Sequence, residues 1–130
     1  MSIELATDIA KARERVEAAL AEQGFGVLTE IDVAATLKNK IGKDIAPQII
    51  LGACNPVLAD RALTAETSIG LLLPCNVVLR SIGDHRTIVE ALDPATMVTF
   101  TGNTALEPVA SEARAKLAAA LDTLSRGIDR

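Results

Sequence analysis

Aromatic residues are nearly absent: the 130 residues hold two Phe, no Trp and no Tyr. The core must therefore come from Leu, Ile, Val and Ala. Stacking of bases on aromatic platforms, on which single-stranded nucleic-acid binders rely, has almost nothing to work with. No block of Lys or Arg is present and the net charge is −4, so affinity for a phosphate backbone is not expected. No apolar run approaches the roughly 20 residues that cross a bilayer, and no membrane partner is expected. The first residues, Met1-Ser2-Ile3-Glu4-Leu5, carry neither the positive region nor the apolar stretch of a secretory signal. A cytoplasmic location follows as the expectation, with reduced thiols.

Metal and phosphate motifs are also missing. The chain has one His and two Cys, with no Cys-x-x-Cys, so no metal site is expected. His85 falls in a turn, where a solvated polar residue is ordinary. Gly52-Ala53-Cys54-Asn55-Pro56 is neither a Walker loop nor a dinucleotide fingerprint, and no cofactor is indicated.

What remains is an ordinary globular balance, 49% hydrophobic and 23% charged. One domain over 1–130 is expected, long enough to bury roughly two-thirds of its unfolded surface. Ile3 opens a short edge strand. Thr7 or Asp8 then caps a helix whose Ile9, Ala12, Val16, Ala19 and Leu20 recur at helical spacing, and Gly24 ends it. Phe25 to Ile31 reads as a strand, with Gly26 marking close packing or a bulge. Asp32 caps a second helix, with Val33, Leu37 and Ile41 on one face and Gly42 at its end.

Gln48 to Ala53 is a strand whose Ile-Ile-Leu run lacks polar alternation, so both faces are covered or one meets a partner. Asn55 and Pro56 then suit the N-cap and first position of a third helix. Cys75 to Ser81 and Arg86 to Leu92 form a hairpin around Gly83-Asp84. Residues 95–105 are expected to be irregular, with Met97, Val98 and Phe100 covering the core. A last helix runs over about 108–125, buried along Leu106, Val109, Ala113, Leu117, Leu121 and Leu124, and the tail from Arg126 frays. Its Ala118-Ala119-Ala120-Leu121 run hints at a second contact surface. The pattern predicts an α+β two-layer sandwich: one mixed sheet of about four to five strands, helices mainly on one face.

The candidate chemistry gathers in Pro47 to Ser81, where Cys54-Asn55-Pro56 is echoed by Pro74-Cys75-Asn76. Cys54 ends a strand just before a helix cap, where backbone N–H groups and the helix dipole favour a thiolate or a bound anion. Both thiols read more simply as small apolar core residues, Asn55 as a cap, and Asn76 as a loop-satisfying polar group. Glu30 and Asp32 are candidate paired carboxylates, with helix capping the plainer role for Asp32. Antiparallel neighbouring strands would bring both Cys-Asn pairs to one pocket. Parallel strands would separate them, and the spacing permits either.

The blocks 24–32, 51–56, 70–77 and Asp93-Pro94, in that order, closely resemble the Domain of Unknown Function 302 family. The likeness runs from about residue 7 to about 97. It implies a small cytoplasmic two-layer α+β domain that tends to form homodimers, and it supplies no activity. Its motif positions fall on Glu30, Asp32, Cys54, Asn55, Pro56, Pro74, Cys75 and Asn76. The expected function is small-ligand binding, with a small anionic ligand among the candidates, in a pocket at the two Cys-Asn segments with Glu30 or Asp32 at its rim. A thiol redox protein or enzyme using Cys54 and Cys75, and a structural dimer without a ligand, are the alternatives.

Overall fold

The computed structural model describes residues 1–127. Its strands are β1 (Ser2–Leu5), β2 (Gly26–Asp32), β3 (Gln48–Cys54), β4 (Cys75–Gly83) and β5 (Arg86–Ala91). They form one sheet in the order β1-β5-β4-β3-β2, and every neighbouring pair is antiparallel. The α+β architecture is as the pattern predicts, but the sheet is not mixed. The reason lies in the connection after β3. Helix α3 (Pro56–Ala65) and the 3-10 turn Thr67–Leu72 return the chain to the end where β3 stopped. The next strand must then run back along β3.

Side-chain alternation separates the two faces of this sheet. Leu51, Ala53, Cys75, Val77, Leu79, Val89 and Ala91 are buried on one face. Ile50, Val78, Arg80 and Ile88 share the other and are half-buried. On that second face Arg80 Nε meets Glu90 Oε1 at 3.0 Å. Arg86 pairs with Glu4 across β5 and β1 at 2.9 Å.

The buried face is covered by α1 (Ile9–Glu22) and by the last helix, α5 (Glu107–Ser125). Asp8 caps α1 by accepting from Lys11 N at 2.8 Å, and Ala12, Val16, Ala19 and Leu20 are buried as the spacing predicts. The last helix buries Val109, Ala113, Leu117, Leu121 and Leu124, together with Ala110 and Ala120. Ala118 is exposed and Ala119 half-buried. Arg126 and Gly127 lie beyond the helix end, and the remainder of the tail expected to fray, 128–130, lies outside the described residues.

Helix α2 (Val33–Ile41) is capped by Asp32 and ended by Gly42 at φ 66°, as expected; it buries no residue, and Ile41 is 71% exposed. A three-residue stripe is too narrow to draw the helix over the core, and it rests against β2 and β3. Residues 96–101, expected to be irregular, form α4 (Thr96–Thr101). Six residues make under two turns, too few to show a period. Asp93 starts this segment by accepting from Ala95 N at 2.9 Å, and Gly102 at φ 70° ends it. Met97 is buried as expected, but Phe100 is 67% exposed and does not cover the core. Among the described residues, no helix is long and apolar enough to cross a membrane.

Candidate functional site

In the β3–β4 ladder Ala53 stands opposite Cys75, and Gly52 opposite Asn76. The two Cys-Asn segments are therefore side by side. Residues directly opposite share a face, whereas consecutive residues do not. Cys75 faces the helices with Ala53. Asn76 faces the other way, is exposed, and borders a surface hollow with Ser2, Val78 and Glu90. The echo in sequence thus does not become one four-residue cluster.

Beneath α3 is a cavity of about 20 Å³. That is room for about one water-sized group. Cys75, Met97, Leu58 and Phe25 line it, together with Cys54 and Asn55 at the end of β3. Among the described residues no Lys, Arg, His, Asp or Glu lines it. Burial pushes the Cys75 thiol above its ordinary pKa, and the nearby Cys54 sulfur, when ionised, pushes in the same direction. Both thiols are free; Cys75 is buried and Cys54 half-buried.

Asn55 acts in two directions. Its Oδ1 accepts from Leu58 N at 3.2 Å, capping α3, and its Nδ2 donates to Gln23 O at 3.2 Å. The end of α1 is thereby tied to the start of α3. Gly24 lies under this tie at φ 82°, where a Cβ would come 2.9 Å from Asn55 Nδ2. Pro56 opens α3, where its missing N–H costs nothing, and its side chain is exposed.

Glu30 and Asp32 do not stand at the rim. Glu30 is opposite Leu51, three residues from Cys54, or roughly 10 Å along the strand. Its Oε1 accepts from Arg13 Nε at 2.8 Å and Nη2 at 2.6 Å. Asp32 is opposite Ile49, farther still, and its Oδ1 accepts from Ala35 N at 2.9 Å. Each carboxylate has a structural partner, and neither lines the cavity.

Met97, which lines the cavity, escapes the motif reading, whereas Gly52 belongs to the motif block 51–56. Met97 is on the helix that periodicity does not reveal. Gly52 sits where a Cβ would run into Thr29 Oγ1 and stand 2.7 Å from Pro74 Cγ. A lone Gly in an apolar strand is the available signal for such close approach. The register irregularity expected near Gly26 falls two residues on, between Val27 and Thr29.

The family model for the domain of unknown function DUF302 matches residues 1–124. The chain belongs to the DUF302 family. The match extends past Met97 through nearly all of the last helix, farther than the quoted blocks. A crystal structure of an uncharacterized conserved DUF302 protein from Bacillus stearothermophilus is 32% identical, with a TM-score of 0.87 over 95% of this chain and 96% of that one. No curated protein matches the chain.

Proposed function

We propose that this DUF302 protein binds a small ligand in the cavity under α3. The observation that carries the reading is an apolar, atom-sized space bordered by both cysteines and by the doubly bonded Asn55. Its size limits what enters to a few heavy atoms. That no cationic side chain among the described residues lines it weighs against the anionic ligand, which would have the start of α3 to attract it. Native mass spectrometry of protein purified from its own host without oxygen tests the reading. A bound mass should appear on the natural chain and be lost in Ala59→Leu, which fills the cavity from α3. No bound mass, or one that Ala59→Leu retains, overturns it.

A thiol redox role has one observation in its favour: Cys54 is a single residue from the position opposite Cys75. Against it, burial pushes the Cys75 thiol above its ordinary pKa and so disfavours the thiolate that exchange chemistry needs. Mild oxidation with diamide decides it; an intramolecular loss of two hydrogens in the native fold would support this role, and intact thiols would end it. The free thiols suit a reducing compartment, and a cytoplasmic location is part of the proposal. A homodimer would use the sheet face carrying Ile50, Val78, Ile88 and Ile31, the last 49% exposed. Sedimentation equilibrium of the natural chain and Ile31→Glu tests that pairing.

A further inference from the structure

We propose that the cavity under α3 is a Cu(I) site, with Cys75 Sγ and Met97 Sδ as the protein ligands. This names the ligand class for the small-ligand reading and rests on it. The first ground is donor type. Cys75 is 8% and Met97 5% exposed, and both line the same space. Thiolate and thioether sulfur select soft cations, Cu(I) foremost, over the oxygen-seeking ones. The second is size: about 20 Å³ holds one ion and leaves no place for an organic molecule.

The third ground is charge. No acidic or basic side chain among the described residues lines the cavity, so a bound ion must be neutralised by its own ligands. Binding replaces the Cys75 S–H bond with an S–Cu bond. The thiol proton leaves to solvent, Met97 adds a lone pair, and no electron is transferred. One thiolate and one monovalent cation leave the centre neutral. Zinc would leave a net positive charge there and lacks its usual four ligands, since the described residues hold no group of three or more His, Cys, Asp or Glu. The soft, low-coordinate cation is the one that fits.

Titration of the whole chain with Cu(I) against the chelator bicinchoninate, without oxygen, tests this. The expected result is one Cu(I) per chain with a sulfur-only X-ray absorption shell. Cys75→Ser and Cys75→Ala should each lose about 100-fold or more in affinity, and Met97→Leu about 10-fold with an unchanged melting curve. Cys54→Ser should stay within about threefold, because that thiol, although it lines the same space, is half-buried at the end of β3 and is not one of the two buried sulfurs. Binding that survives in Cys75→Ala but is lost in Cys54→Ser is capture by the more exposed thiol and overturns the proposal. So does one copper shared by two chains. If the natural chain takes up no Cu(I) while host-purified protein carries a mass that Ala59→Leu removes, the copper assignment falls and the small-ligand reading stands. If both are absent, both fall.

Discussion

The two Cys-Asn segments are near copies in sequence and near opposites in structure. In the first, Cys54 ends a strand, and Asn55 bends inward to cap α3 and hold Gln23. In the second, Cys75 starts a strand facing the core, and Asn76 turns outward into solvent. The half-buried thiol is followed by the working asparagine; the buried thiol is followed by an exposed one. The difference comes from where each pair sits on its strand. A pair at a strand end can leave the two-residue alternation, because the next residue belongs to a helix. A pair at a strand start is bound by it.

Thiol reactivity should show the largest contrast. Cys54 should alkylate directly with iodoacetamide. Cys75 should react only through opening of the fold, about 100-fold more slowly if that opening costs about 3 kcal/mol. Burial, which pushes the Cys75 thiol above its ordinary pKa, works in the same direction by keeping its thiolate scarce in the closed fold. Peptide-level mass spectrometry over time measures both rates, and equal rates would break the distinction between the segments. Next comes Gly52→Ala, which sets a methyl group against Thr29 and the Pro74 ring between the two segments. Overpacking at that point should cost about 1–3 kcal/mol in urea unfolding.

Much of the frame could be read before the fold was seen. Asp8, Asp32 and Asn55 announce helix starts, and Gly24 and Gly42 announce ends, because capping is local chemistry within a few residues. Buried stripes on α1 and α5 repeat often enough to show their period. Strand direction is not local. It depends on where α3 delivers the chain, and that alone decides whether Cys54 and Cys75 adjoin. Met97 is in the core as its apolar character predicts, but its helix is too short to show a pattern, and nothing local assigns it to the same cavity as Cys75. Glu30 looks catalytic in a motif and is spoken for by Arg13, 17 residues away in sequence, a pairing that no spacing rule supplies.

The smallest expected effects separate the two asparagines. Asn55→Ala removes the cap on Leu58 N and leaves the Gln23 carbonyl without its donor, and should cost about 1–2 kcal/mol. Asn76→Ala removes only an exposed side chain and should stay within about 0.5 kcal/mol. Asn55→Asp divides the first loss into its parts. Asp caps a helix about as well as Asn, and its charge suits the positive end of α3. Its second oxygen, however, cannot donate and would face the Gln23 carbonyl. A chemical-melt deficit in Asn55→Asp therefore measures the tie between α1 and α3, while the further deficit in Asn55→Ala measures the cap. If Asn55→Asp matches the natural chain, the tie adds nothing. Asn55 is then a helix cap alone, and the cavity wall at the start of α3 does not depend on its bond to Gln23.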